Sequence, residues 1–174
     1  DLVATYFGGT KERNPDVCIW VSRKVKGSKE WTKPQMVADG IINDTLRKAC
    51  WNPVVYQIPQ GDLVIYFKIG SNVSDWSGWM VRSKDGGKTW SKREPLQKDF
   101  LGPVKNKPVM SRGRLIAPSS IESNGWRLYF EYSDDMGKTW QRTDYVEADS
   151  ITIEGKKKLK DLAIQPSIIL LKDG

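Results

Sequence analysis

An eight-residue box occurs twice in this 174-residue chain, and it constrains the fold more than any other feature. Ser83-Lys84-Asp85-Gly86-Gly87-Lys88-Thr89-Trp90 returns as Ser133-Asp134-Asp135-Met136-Gly137-Lys138-Thr139-Trp140, 50 positions later. A degenerate third copy runs from Ser22 to Trp31, without the Asp and with two extra residues. A second element precedes each regular box and closes the chain. It comprises Asn52-Pro53-Val54-Val55-Tyr56, Lys107-Pro108-Val109-Met110 and Gln165-Pro166-Ser167-Ile168. A third follows it, as Asp1-Leu2-Val3-Ala4, Asp62-Leu63-Val64-Ile65 and Arg114-Leu115-Ile116-Ala117. The period is 61, then 52, then about 60 residues. Several short strands repeated at such a spacing are the signature of propeller blades.

One unit reads directly as four antiparallel strands. Strand A is Val54–Ile58, strand B Leu63–Lys68, strand C about Trp79–Ser83, and strand D runs from Trp90 toward Leu96. The box is then the C–D turn. Its Asp accepts hydrogen bonds from the turn's own amides. Its glycines supply positive φ, and its Trp fills the space between sheets. Asp85 and Asp135 are therefore structural. The fold class is all-β: a propeller of four-stranded antiparallel blades, in units of about 1–60, 61–112 and 113–174. The one stretch read as a turn of helix is Gly40–Ala49.

Composition narrows the chemistry. The chain has no histidine, so no Ser-His-Asp triad, HExxH zinc site or histidine proton relay can be built from it. Acid–base work falls to carboxylates, Tyr or Lys. Two cysteines are too few for a Cys-rich zinc site. Cys18 and Cys50 are expected as free thiols, and no metal or cofactor is expected. No apolar run reaches the roughly 18 residues of a membrane helix. The basic run Lys156-Lys157-Lys158-Leu159-Lys160 has no interleaved aromatics, so no nucleic acid is expected. A net charge of +7 suits an acidic glycan. Asn43-Asp44-Thr45 and Asn72-Val73-Ser74 match the glycosylation triplet, a pattern that also arises by chance.

Topology places the site. In an antiparallel blade the B–C loops and D–A connections emerge on one face, opposite the boxes. That face collects the B–C loops 8–16, 68–78 and 119–125 and the D–A ends 51–52, 105–107 and 164–165. Glu12 and Glu122, with Asp75 third, are the acid–base candidates, since glycosidic cleavage commonly uses two carboxylates. The candidate substrate contacts are Arg13, Trp51, Asn52, Lys68, Trp76, Lys105, Asn106, Lys107, Ser120 and Gln165. Trp51 and Trp76 could stack on a sugar or merely pack. Asp75 fits an Asx turn as well as it fits catalysis. Lys105 and Lys107 flank Asn106 at a strand start, and only one of the two is expected to face the site. Trp20, Trp31, Trp79, Trp126 and Trp140 are assigned to packing.

The boxes resemble the Asp-box, or bacterial neuraminidase repeat, of the sialidase superfamily. YFGGTKERNPDVCIW (6–20), WNPVVYQIPQGDLVIYFKIG (51–70) and GPVKNKPVM (102–110) are similar to exo-α-sialidase-like proteins with this repeat. The resemblance covers essentially the whole chain. It implies a six-bladed ring of about twice this length or more, of which the chain is about three blades. It implies a secreted or periplasmic protein, with the remaining blades as neighbours. Family sialidases use an arginine triad for the substrate carboxylate, a Tyr–Glu nucleophile pair and an Asp acid. The arginines and the Tyr would lie outside these residues, and the acid Asp would fall in the loop 8–15. That loop holds no Asp, only Glu12, while Asp16 matches the Asp that opens strand C.

The implied function is exo-hydrolysis of a terminal, anionic sugar. A non-catalytic glycan- or protein-binding propeller uses the same loops without an acid–base pair. A lyase on uronic-acid polysaccharide ranks third, since it would want a Tyr or His base beside an Arg. The register puts Asp1 and Gly174 at the same place in the blade, the A–B turn. The opening residues, without Met or leader pattern, read as the middle of a strand. Open edges on such a piece would favour self-association.

Overall fold

In the computed structural model, residues 1–123, 125–146, 152–153, 156–157 and 163–172 are described. Three antiparallel sheets follow one another along the chain. The first has strands β1 (Leu2–Gly8), β2 (Cys18–Lys24) and β3 (Gln35–Ala38), in that order. The second has β4 (Ala49–Gln57), β5 (Leu63–Gly70), β6 (Ser77–Ser83) and β7 (Glu94–Pro95). The third has β8 (Val109–Ser111), β9 (Arg114–Ile121), β10 (Arg127–Ser133) and β11 (Gln141–Arg142). A two-stranded ribbon pairs β12 (Thr152–Ile153) with β13 (Lys156–Lys157), the latter opening the basic run. Most of that run, and Gly174, lie outside the described residues. The sheets are propeller blades, and the inner position of a blade is filled by β4 and β8. The first sheet begins at the B position.

Packing follows from the period of two along β5, all eight residues of which are buried. Ile65, Phe67 and Ile69 point toward the first sheet, where they meet Ile19, Val21 and Ala38. Val64 and Tyr66 point the other way, onto Leu115, Ala117 and Trp140 of the third blade. A central blade covered on both faces needs a near-continuous apolar strand, and LVIYFKIG supplies one with a single exception, Lys68.

The boxes form as their residue types require. Asp85 Oδ1 accepts the amides of Lys88 (3.0 Å) and Thr89 (2.9 Å), and Oδ2 accepts the Thr89 hydroxyl (2.6 Å). Asp135 repeats this on Lys138 and Thr139. Trp140 meets Tyr66 edge-on at 5.9 Å, and Trp90 packs against the core between the first two blades. The degenerate turn recovers a carboxylate from elsewhere, because Asp1 accepts the Lys26 amide and the Arg23 guanidinium, both at 2.9 Å.

Several expectations are corrected. The stretch Gly40–Ala49 is not helical. Asn43 Oδ1 closes an Asx turn on the amides of Thr45 and Leu46, and Ile41 bridges Arg47. Strand A starts at Ala49 rather than Val54, because a bulge between Trp51 and Val54 absorbs Asn52-Pro53. Strand D is only two residues long in each four-stranded blade. Trp31 and Trp126 are each 46% exposed and so contribute little packing. Cys18 and Cys50 are free and buried.

Candidate functional site

Two copies of the repeated X-Pro element frame the site. Asn52, just before Pro53, has φ +43°, and Gln165, just before Pro166, has φ +57°. Left-handed backbone costs a non-glycine residue free energy. Such strain persists where surrounding structure fixes it, and it clusters at ligand sites. Asn52 and Gln165 line one cavity of about 440 Å³ together with Lys105, Pro53 and the β1 residues Thr5, Tyr6 and Phe7. Lys105 is exposed into it. An ammonium and two carboxamides supply donors for a carboxylate and for hydroxyls.

Gln165 ties this funnel to further candidates. Its amide donates to Ser120 Oγ (3.2 Å), and its side-chain Nε2 donates to Glu122 Oε1 (3.1 Å). Asn106 Nδ2 donates to the carbonyls of Gln165 and Pro166, both at 2.9 Å. Ser120, Glu122, Asn106 and Gln165 thus form one network. Ser120 is fully buried and holds the backbone of Gln165. Glu122 is half-buried and also lines a second cavity of about 500 Å³ between the second and third blades, beside Trp76, Trp79, Phe100 and Tyr129.

The other candidates lie elsewhere. Glu12 and Arg13 are exposed in the β1–β2 loop, where Arg13 has φ +76°. Asp75 is an Asx-turn carboxylate. It accepts the Asn72 amide (2.8 Å) and pairs with Lys48 (2.8 Å). Its carboxyl is brought down to about 2, the Lys48 and backbone hydrogen bonds outweighing the opposing effect of burial. A proton donor at neutral pH cannot be built on such a group. Trp51 is buried, its indole donating to the Gly70 carbonyl (2.8 Å) and tilted against Trp76 at 5.6 Å. Of the two, Trp76 is the one that reaches a cavity. Lys107 lines a different cavity, with Val55, Leu63 and Gly86. Residues 105–107 precede β8, so the shared face that a regular strand would give residues two apart does not apply, and the two lysines diverge. Lys68 is wholly buried, its ammonium donating to the Pro103 carbonyl, which removes it from direct substrate contact.

Sequence reasoning missed Glu131. It is completely buried on β10 and accepts the amides of Leu101 (3.1 Å) and Gly102 (2.6 Å), with Arg142 at 3.3 Å. Burial pushes its carboxyl up, against the pull of these partners and of Lys68. The signal was present in the register. Glu131 shares a strand face with Tyr129 and the box Ser133, both core positions.

Among known proteins, the model of the BNR repeat-like domain matches residues 1–174. A sialidase of Clostridium perfringens is 36% identical over a stretch covering 38% of this chain and 22% of the relative. The chain therefore spans about a fifth of the length of that protein. The solved Hadza microbial sialidase Hz136 superposes with a TM-score of 0.67 at 16% identity, over 85% of this chain and 36% of that one. The Trypanosoma rangeli sialidase, solved in complex with sialic acid, superposes at 0.50 with 20% identity, over 89% of this chain and 30% of that one. At these identities the superpositions establish the fold.

Proposed function

Since the chain belongs to the BNR repeat-like domain family, we propose that it contributes to a sialidase-like exo-glycosidase whose funnel takes a terminal anionic sugar. One observation carries this reading. Asn52, Lys105 and Gln165, from successive D–A connections, converge on a single cavity, two of them in strained backbone. In this reading Lys105 receives the sugar carboxylate, while the amides of Asn52 and Gln165 receive hydroxyls. Glu122, held by Gln165, is the general acid–base group of this part of the site. Glu12, exposed in the β1–β2 loop, is the candidate for the second carboxylate. The net charge of +7 favours encounter with an acidic glycan. A secreted or periplasmic location follows the same relationship; among the described residues no helix is long and apolar enough to cross a membrane.

The test is a screen of the full-length protein against sialosides and uronic-acid oligosaccharides. Lys105→Ala is expected to raise KM about tenfold or more, as loss of a charged hydrogen bond would. Glu122→Gln should lower kcat by about a hundredfold or more. Turnover unaffected by both Glu12→Gln and Glu122→Gln would sink the carboxylate assignment. Binding without turnover would instead identify a glycan-binding propeller.

A further inference from the structure

Lys68 and Glu131 are buried charges on facing strands, and no substrate contact explains them. Their meeting follows from register. Lys68 shares a face of β5 with Val64 and Tyr66, which point at the third blade. Glu131 pairs with Ala117, and Tyr129 with Ser119, so these four side chains share the face of the third blade that looks back. Between the two faces runs the crossover Leu101-Gly102-Pro103-Val104, of which residues 102–104 are buried.

This crossover makes no sheet, yet its polar groups are captured by side chains and a strand. Glu131 takes the amides of Leu101 and Gly102. Ser119 Oγ donates to the Gly102 carbonyl (2.7 Å), and Lys68 to the Pro103 carbonyl. The Val104 amide donates to the Pro118 carbonyl (3.0 Å). The next two residues are Lys105, in the funnel, and Asn106, on the carbonyls of Gln165 and Pro166.

We propose that Lys68 and Glu131 are positioning residues that clamp the 101–104 crossover and so set Lys105 and Asn106 in the funnel wall, with the charge on Lys68 controlling how tightly. The clamp rests on the functional reading above only for what the funnel binds. The charged groups facing Lys68 are Glu131 on β10 and Glu122 after β9, with Arg142 on β11 behind Glu131. Burial pushes the Lys68 ammonium down to about 7, while Glu131 and Glu122 act in the opposite direction. Near neutrality the group therefore changes from an ammonium to an amine. The amine is a weaker donor to Pro103, and it withdraws a positive charge from the side of Glu131, which keeps Arg142 and the amides of Leu101 and Gly102.

The experiment uses the intact protein labelled with 15N-glycine and 15N-lysine, titrated from pH 6 to 8.5. The Gly102 and Lys105 amide signals are expected to move with one common midpoint near neutrality. In Lys68→Met that titration should vanish, while the signals of Gly87 and Gly137 in the boxes stay in place. Glu131→Gln, which removes an anion that favours the ammonium, should lower the midpoint. A flat wild-type response, the same titration surviving in Lys68→Met, or an unmoved midpoint in Glu131→Gln would each overturn the clamp. Should Lys68→Met fail to fold, the wild type and Glu131→Gln still decide. Calorimetry with N-acetylneuraminate and with glucuronate is the second arm. Affinity should fall as pH rises through the same midpoint, and by about tenfold in folded Lys68→Met, as expected of a displaced binding group. Failure of both sugars to bind at every pH defeats the functional reading alone, since the amide titration judges the clamp by itself.

Discussion

Asp85 spends both carboxylate oxygens on its own turn, and Asp135 does the same 50 residues later. The hydroxyl and amide of the box Thr and the hydroxyl of the box Ser hold each carboxyl well below its ordinary range. A carboxyl lowered in the folded state contributes stability above its unfolded value, near 4, and loses it as pH falls below that. We expect Asp85→Ala to lower Tm by about 5 °C or more and to flatten the acid limb of the stability curve between about pH 4 and pH 2. Unchanged acid unfolding in differential scanning calorimetry would contradict this. Cys50 is the opposite case. Burial drives its thiol up to about 12, with nearby Cys18 adding to the rise. The thiolate is the reactive form, so Cys50 should resist iodoacetamide at pH 8 until the chain is unfolded, as peptide mass spectrometry would show. Both box aspartates were legible in the sequence, because a turn that satisfies itself is local. For Glu131 the buried strand face was legible but its partners were not, because nothing in its neighbours on the chain announces Leu101 and Gly102, some thirty residues away.

At the scale of the element, the strands were legible and their ends were not. Proline normally marks the edge or start of a strand, so Pro53 suggested that strand A begins at Val54. The structure instead runs β4 through the proline with a bulge, which turns Asn52 into the funnel. The site was therefore partly readable: the X-Pro repeat pointed to Asn52 and Gln165 but, in the middle unit, to Lys107, which lines another cavity, while Lys105 and the bulge that aims Asn52 are placed by tertiary structure. The crossover depends on a second such feature. A Cβ on Gly78 would lie 2.4 Å from the Phe100 carbonyl oxygen and 2.9 Å from Leu101 Cα. Backbone at that distance must move. Gly78→Ala is expected to cost about 1–3 kcal/mol in stability, the usual range for overpacking. It should also shift the amide signals of Gly102 and Lys105, because the displaced segment leads into the funnel. Chemical denaturation and the 15N spectrum would check the two effects. A neutral result would mean that β6 and the crossover are not in the contact described.

For the whole molecule, the blade stack explains both what is stable and what is left open. The central blade is covered on both faces, by the first sheet through Ile65 and Phe67 and by the third through Tyr66 and Leu115. The first sheet lacks this protection along one side. Its strand β1 pairs with β2, and among the described residues no strand lies on its other edge. Leu2 is 60% exposed on this strand, and Tyr6 and Phe7 are each 37% exposed. A seven-residue strand with free backbone groups and apolar side chains is a template for another chain. In a closed ring a strand at the inner position of this blade would pair with that edge. Residues 1–174 expressed alone are therefore expected to self-associate with rising concentration. Light scattering coupled to size exclusion would show the mass increase. Leu2→Lys with Phe7→Lys, which places charge along the edge, should reduce it. A monodisperse monomer that melts sharply without those substitutions would show that β1 is already protected, and would remove the argument that this edge pairs with a further strand at the inner position of its blade.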